Sequence, residues 1–88
     1  MKTSVKNLTS NKGTKIPNQF IISTPTSKIF QSYDSVIVKK TRKNTYLDYY
    51  YWNYSETTSK YRNIFLDETT KETQYKIDKG IYKLTDLN

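Results

Sequence analysis

The chain of 88 residues contains no cysteine and no histidine. Without cysteine it has neither a disulfide framework nor a thiolate metal site, and we expect a cytoplasmic protein. Without histidine it lacks the commonest general base, the commonest metal ligand and every triad that depends on an imidazole. These absences predict no catalytic residues, no metal and no cofactor, and they favour a binding protein over an enzyme. A tyrosine nucleophile is the catalytic alternative that the composition leaves open.

Long apolar runs are also missing, and hydrophobic residues make up only 34% of the chain. A signal peptide would need a continuous apolar segment after Lys2 and Lys6, but Leu8 is the only apolar residue between Lys6 and Lys12. We therefore expect no targeting segment and no contact with a membrane. A chain of this length buries only about 60–65% of its unfolded surface, which leaves room for one small domain of modest stability.

Positive charge is in excess, with 15 Lys/Arg against 8 Asp/Glu and a net charge of +7. Residues 1–18 hold four lysines, no acid and no aromatic residue. Burial of the few apolar side chains in this segment does not offset the conformational entropy that the segment would lose on folding. We therefore predict a flexible basic arm over residues 1–18 and a single domain over residues 19–88. The arm would be an inert terminus, a source of phosphate contacts, or a strand docked through Val5 and Leu8.

Three runs rich in β-forming residues follow the predicted arm. The first spans residues 19–24. The second, residues 28–40, is too long for one regular strand and predicts a bulge or bend at residues 32–35. A polar link, residues 41–44, then predicts a hairpin to a third strand over residues 45–54.

The pattern changes to a helical period after the third run. Tyr61 and Phe65 lie on one apolar stripe and predict a helix over about residues 57–67. Lys60 and Arg62 are expected to point away from this stripe. A second helix is predicted to follow and to reach about residue 79.

Both helices carry capping signals. Ser55 or Thr57 is placed to accept hydrogen bonds from the first free amides of the first helix. Thr69 and Glu72 match the S/T-x-x-E capping box at the start of the second. Gly80 follows the second helix, at the position where a residue with positive φ is needed.

The last predicted element is a strand over residues 81–87, which resume a β-like pattern. The order of elements is then β-β-β-α-α-β. Strands followed by helices and a closing strand predict an α+β fold. We expect a small antiparallel sheet of about four strands with two short helices packed on one face.

Aromatic and basic residues form two candidate binding groups. The partner-binding candidates are Tyr46, Tyr49, Tyr50, Tyr51, Trp52 and Tyr54. Because both faces of the predicted third strand are aromatic, either the sheet is covered on both sides or one ladder of tyrosines faces solvent. An exposed ladder would stack bases or anchor a protein interface. The candidates for contact with phosphate or an acidic surface, otherwise simply solvated, are Lys39, Lys40, Arg42 and Lys43.

Four short blocks carry a resemblance to known proteins. They are FQSYDSVI at 30–37, WNYSETT at 52–58, YRNIFL at 61–66 and IDKG at 77–80. With these blocks the chain resembles a family of short, mostly uncharacterised proteins of phages, plasmids and other mobile elements of low-GC Gram-positive bacteria. The resemblance covers about two thirds of the chain and brings no catalytic residues with it.

The resemblance implies an accessory gene of a mobile element. Small proteins of that kind often inhibit host defence systems stoichiometrically, as anti-CRISPR proteins do. The implied partner is a host protein or ribonucleoprotein complex such as a CRISPR nuclease, bound by something other than DNA mimicry because the chain is basic. The alternative is an accessory protein that binds DNA or RNA, with the basic candidates on phosphates and tyrosines stacked on bases.

Overall fold

The computed structural model describes residues 3–10 and 12–88. Within these ranges the chain forms six strands and two helices. Their bounds are β1 (Ser4–Thr9), β2 (Lys15–Ser23), β3 (Ser27–Ser32), β4 (Ser35–Thr41), β5 (Thr45–Asp48), α1 (Glu56–Leu66), α2 (Thr70–Asp78) and β6 (Tyr82–Thr85).

All six strands form one sheet in the order β1-β2-β3-β4-β5-β6. Each pair from β1 to β5 is antiparallel, whereas β6 runs parallel to β5 after the two helices. The α+β class is therefore confirmed, but the sheet is mixed and has six strands instead of about four. A parallel neighbour requires a crossover, and the α1–α2 segment supplies it.

The prediction of a flexible arm over residues 1–18 is wrong where the structure describes it. Residues 4–9 form β1, which pairs with β2, and β2 runs across the predicted boundary at residue 18. Of the two residues in the docked-strand alternative, Leu8 is buried at 3% exposure, whereas Val5 is 60% exposed. An edge strand needs backbone pairing more than apolar side chains, which is why the polar composition hid it. Met1 and Lys2 lie outside the described residues.

The interruption of the second β-rich run is a turn at Tyr33 and Asp34, between β3 and β4, not a bulge within one strand. A bulge does occur, but in the pairing of β3 with β4. Phe30 opposes Val38 while its neighbour Gln31 opposes Val36, so Ile37 is the extra residue. Ile37 and Val38 are consecutive and both buried, which regular alternation does not allow.

The third strand is much shorter than predicted, because β5 ends at Asp48. The carboxylate of Asp48 accepts hydrogen bonds from the backbone N–H of Tyr50 at 3.1 Å and of Tyr51 at 2.9 Å. These bonds turn the chain in the manner of an Asx turn. The residues from Tyr49 to Tyr54 are a loop, so the alternating ladder of tyrosines predicted for residues 45–54 does not form.

The helix predictions agree closely with the structure. Ser55 caps α1 by accepting from the N–H of Thr58. Both hydrogen bonds of the predicted capping box between Thr69 and Glu72 are present at the start of α2. Gly80 has the expected positive φ, at 75°.

The core lies between the sheet and the two helices. Its buried cluster consists of Phe30, Ile37, Val38, Leu47, Leu66 and Tyr82. Tyr61, Phe65 and Ile77 of the helices pack against it, and the Phe65 ring stacks on Phe30 with centroids 5.7 Å apart. No helix in the described part of the chain is long and apolar enough to cross a membrane.

Alternation along the strands defines two faces of the sheet. The helix face carries Phe30, Val38, Leu47 and Tyr82. The outer face is the opposite one, and the strand register places there the row Val5, Ile22, Ile29, Lys39, Tyr46 and Lys83. Each of these residues is the partner of the next, so the row crosses the whole sheet.

Candidate functional site

Asp48 organises the aromatic loop from its base. Its second carboxylate oxygen accepts from the N–H of Leu87 at 2.8 Å and from the side-chain amide of Asn88 at 3.0 Å. Burial by itself would raise the pKa of Asp48, but the hydrogen bonds from Leu87, Tyr51, Asn88 and Tyr50 outweigh it and lower the pKa. The carboxylate is therefore held ionised, and it ties the loop to the last residues of the chain.

Arg62 fixes the same loop from the helix side. Its side chain is fully buried, its guanidinium donates to the carbonyl of Trp52, and it lies 5.2 Å from the centroid of the Trp52 ring. It also donates to Thr70 at 2.9 Å, at the start of α2. Arg62 lies off the apolar stripe of α1, and it is buried there because the loop and α2 cover that side of the helix. Burial lowers the pKa of Arg62, and the charge of Glu68 opposes this effect.

Three tyrosines of this loop form an exposed group. The ring centroids of Tyr50 and Tyr51 are 4.8 Å apart, those of Tyr51 and Tyr54 5.4 Å, and those of Tyr50 and Tyr54 6.0 Å. Tyr50 is 57% exposed and Tyr54 62%, whereas Tyr51 packs against the core. The Tyr51 ring thus anchors the group to the core, and the rings of Tyr50 and Tyr54 are exposed to solvent.

A cavity joins this group to the turn between β3 and β4. The cavity has a volume of about 480 Å³, and Tyr51, Tyr54 and Thr57 line one side of it. Tyr33 and Ile37 line the other, and the Tyr33 ring is 58% exposed. We call the cavity, the three tyrosines Tyr33, Tyr51 and Tyr54 that line it, and the adjacent Tyr50 the tyrosine surface.

The tyrosine surface carries little charge. Of the residues that line its cavity, only Asp34 is charged, and the others are apolar, aromatic or hydroxyl-bearing. A backbone φ of 56° at Tyr33 holds the turn in the left-handed region, which is uncommon for a residue other than glycine. Strained backbone of this kind concentrates at functional sites.

The six predicted partner-binding residues are therefore divided. Tyr50, Tyr51 and Tyr54 come together in the tyrosine surface. Trp52 is half-buried and packs against the core, and Tyr49 is exposed on the same loop. Tyr46 lies in β5 on the outer face. Sequence reasoning missed Tyr33 as a site residue, and its only signal was its position in the predicted bulge or bend at residues 32–35.

The basic candidates are divided as well. Lys39, Arg42 and Lys43 line one cavity of about 350 Å³ at the β4–β5 hairpin. Thr41 and Asn44 close this hairpin through paired hydrogen bonds of 2.8 to 3.1 Å. Lys40 is absent from that cavity, because the alternation of β4 sends it to the helix face, where its ammonium lies 6.0 Å from the centroid of the Phe65 ring.

The two groups lie at opposite ends of β4. The tyrosine surface adjoins Ser35, where the strand begins, and the basic hairpin follows Thr41, where it ends. A strand of this length spans about 20 Å. The aromatic loop and the basic hairpin thus do not form the single stacking and phosphate-binding platform that the nucleic-acid hypothesis required.

Within residues 3–10 and 12–88, no three or more Asp or Glu residues are grouped so that they could hold a metal ion. Comparison with protein families gave one match, a model described as a family of unknown function (DUF8033), which covers residues 3–80. No curated protein and no solved structure gives a significant match.

Proposed function

The chain belongs to DUF8033, a family of unknown function, and we propose that it acts by stoichiometric binding to a protein partner through the tyrosine surface. The observation that carries this proposal is a pair of exposed tyrosine rings, Tyr50 and Tyr54, beside a cavity of about 480 Å³. Tyrosine is enriched at the energetic centres of protein interfaces, where its ring fills a pocket and its hydroxyl finds a hydrogen bond.

The charge of the tyrosine surface favours a protein over a nucleic acid. No lysine or arginine lines its cavity, and Asp34 would repel a phosphate. Nucleic-acid affinity comes largely from cations that neutralise phosphates, and this surface offers none at its centre. An uncharged aromatic surface with hydroxyl groups suits the core of a protein interface instead.

The support of the loop favours binding as well. Asp48 accepts two backbone N–H groups at its start, and the buried Arg62 holds the carbonyl of Trp52. A surface held in one conformation before binding loses little entropy when the partner arrives. The tyrosine rings are thus presented on a prearranged loop.

The narrower proposal is that the partner is a host defence nuclease complex of the CRISPR type. Its support is the resemblance to short proteins of mobile elements, which often act stoichiometrically on such complexes. A net charge of +7 does not suit a mimic of DNA. The protein would accordingly dock on a protein component of the complex.

The test is a double substitution, Tyr50→Ala with Tyr54→Ala, in an affinity pull-down from nuclease-treated lysate of a low-GC Gram-positive host. The wild type should retain a defence nuclease complex in both low and high salt, and the double variant should lose it. Tyr75→Ala is the matched control, because Tyr75 is 58% exposed on α2, away from the tyrosine surface. It should retain the complex.

The stability of the double variant must be measured alongside. The two substitutions remove all three aromatic pairs of the group. At about 0.5–1 kcal/mol for each pair, the thermal midpoint should fall by roughly 6–24 °C, so the pull-down is carried out well below the midpoint of the variant. Equal retention by the double variant and the wild type would refute the proposed surface. Retention of a complex unrelated to defence would leave the surface standing and refute the narrower proposal.

A further inference from the structure

The row of residues across the outer face changes character from one side of the sheet to the other. On β1, β2 and β3 it is apolar, with Val5, Ile22 and Ile29. On β4, β5 and β6 it is Lys39, Tyr46 and Lys83, each the register partner of the next. Tyr46 therefore stands between two lysines on adjacent strands.

Two further cations extend this half of the row. Arg42 and Lys43 follow β4 and line the same cavity as Lys39, and both are exposed. We call Lys39, Tyr46, Lys83, Arg42 and Lys43 the cationic strip. It brings together four positive charges and one aromatic ring.

Most of the acidic residues lie away from the outer face of the sheet. The acids are Asp34, Asp48, Glu56, Asp67, Glu68, Glu72, Asp78 and Asp86. Asp48 alone lies within a strand, at the end of β5 away from the hairpin, and its oxygens are occupied by four donors. The others belong to the Tyr33–Asp34 turn, the helices with their flanks, or the residues after β6. By alternation Asp48 shares the outer face with Tyr46, but no ion pair joins it to a cation of the strip in the described part of the chain.

We propose that the cationic strip binds single-stranded nucleic acid, with phosphates on the lysines and arginine and a base stacked on Tyr46. Neighbouring strands lie about 4.8 Å apart, so the backbones of Lys39 and Lys83 flank Tyr46 at roughly 10 Å from one another. One nucleotide on the ring then has its two flanking phosphates within reach of a lysine on either side. Stacking on an aromatic ring beside cations is the usual way in which a sheet binds single strands.

A single strand fits this surface better than a duplex does. The bases of a duplex are stacked on one another and reachable only through the grooves, into which the face of a sheet does not fit. A single strand can lay its bases on the ring. The strip is separate from the tyrosine surface, so this inference does not depend on the proposed protein partner.

The first experiment measures the salt dependence of binding to a fluorescently labelled oligothymidylate of about 12 nucleotides, within the site sizes of single-strand binders. Lys39→Gln with Lys83→Gln removes two phosphate contacts. The slope of log affinity against log salt should then become shallower by about 1.4, since each contact contributes about 0.7 for a single strand. Lys71→Gln with Lys79→Gln is the control, because it removes the same charge from exposed positions in and next to α2. Its slope should equal that of the wild type.

The second experiment tests the ring. Tyr46→Leu should weaken oligonucleotide binding roughly 5- to 100-fold, whereas Tyr46→Phe, which keeps the stacking ring, should bind as the wild type does. Thermal midpoints of both variants show whether each is folded at the temperature of the measurement. If the Tyr46→Leu substitution unfolds the protein, a comparison of oligothymidylate with an abasic strand of the same length replaces it, and the abasic strand should bind more weakly.

Several outcomes would overturn the inference. They are an absence of wild-type binding at low salt, equal slopes for the strip variant and the control, and equal affinity for the abasic strand. Binding to phosphatidylserine vesicles that exceeds binding to the oligonucleotide would assign the strip to a membrane surface instead. The Tyr50→Ala, Tyr54→Ala variant should bind the oligonucleotide normally, which separates a failure here from a failure of the tyrosine surface.

Discussion

The two halves of the molecule differ in how they use their charged residues. The sheet half, residues 1–48, holds nine Lys/Arg against two Asp/Glu, whereas the helical half, residues 49–88, holds six against six. The whole net charge of +7 thus belongs to the sheet half. In the described part of that half no ion pair forms, while Lys76 and Glu68 pair at 2.9 Å in the helical half.

The halves also differ in what holds them together. The strands from β1 to β5 are joined by backbone hydrogen bonds, and this pairing does not require charged side chains. In the helical half, buried polar side chains make the connections. Glu68 accepts from Lys76 at 2.9 Å, from the Tyr82 hydroxyl at 2.5 Å and from Thr73 at 2.7 Å, and Arg62 joins the aromatic loop to α2. The helical half therefore uses several of its charges for folding, whereas in the described part of the sheet half only Asp48 does so and no cation forms an ion pair.

The strongest test of this comparison removes the buried arginine. Arg62→Ala should lower the free energy of unfolding by about 4 kcal/mol, because it leaves a cavity, removes the Arg62 donor from the Trp52 carbonyl and removes one of the two donors to Thr70. Urea denaturation measures the loss. Lys60→Ala, on the same helix but exposed, should cost no more than about 0.5 kcal/mol. Equal losses would mean that charged side chains of α1 do not differ in structural importance.

Acid should weaken the connections made by side chains. Burial alone would raise the pKa of both Asp48 and Glu68, but their hydrogen bonds outweigh it and lower both pKa values. A carboxyl whose folded pKa is lowered stabilises the fold fully above its unfolded pKa, near 4, and loses that contribution as the pH falls through the folded value. Stability measured from pH 7 down to 2 should therefore drop below about pH 4.

Substitution of both acids identifies them as the source of this drop. Asp48→Asn with Glu68→Gln should be less stable at pH 7 by roughly 2 kcal/mol or more, since each amide turns its NH₂ group towards donors that have lost an acceptor. Its curve should also be flatter below pH 4. Asp34→Asn, in the exposed turn, should follow the wild-type curve. A double variant as acid-sensitive as the wild type would contradict the assignment.

The smallest expected loss of stability is for Asn88 of the helical half, which pairs with Val36 of the sheet half. Asn88 donates to the carbonyl of Val36 at 2.9 Å and accepts from its N–H at 2.7 Å, as a strand would. Asn88→Ala should cost about 1 kcal/mol, which corresponds to about 4–8 °C in thermal midpoint. Asn88→Asp should cost more, because its carboxylate faces both the Val36 carbonyl and Asp48. A smaller loss for Asn88→Asp than for Asn88→Ala would show that the side chain at residue 88 does not face the Val36 carbonyl and Asp48.

Features that depend on nearby residues were predictable from the sequence. The capping box of Thr69 and Glu72 and the positive φ of Gly80 involve residues within one or two helical turns, so the pattern contains all the information. The start of α1 was also placed within one residue. Such local chemistry does not depend on how distant segments pack.

Features that depend on distant residues were missed. Asp48 gains two of its donors from Leu87 and Asn88, about 40 residues away. The Asx turn that it makes with Tyr50 and Tyr51 is a local signal that the prediction overlooked. Aromatic residues favour strands, and that preference misled the prediction for residues 49–54. The burial of Arg62 also depends on contacts outside α1, because a charged residue off the apolar stripe is normally exposed.

The candidate site also combines features that nearby residues determine with features that distant residues determine. Three of the predicted aromatic residues, Tyr50, Tyr51 and Tyr54, do form one surface, but Tyr33 joins them from a turn that is distant in sequence. The basic candidates were contiguous in sequence, yet strand alternation separates Lys40 from Lys39. Composition identified the residue types, and only the register of β4 and β5 shows which of them share a surface.

The parallel pairing of β6 has a consequence for the order of events in folding. Each of the other four strand pairings joins consecutive strands through a short turn, and hairpins of this kind close in about 1–10 μs. The edge of β5 finds β6 only after residues 49–81 have been laid across the helix face, so closing that loop costs more entropy. β6 should therefore be the last strand to pair with the sheet during folding and the first to separate from it during local unfolding. Amide protons of Leu84 and Thr85 should accordingly exchange with solvent sooner than those of β3, and each such opening bares an unpaired strand edge to a second molecule.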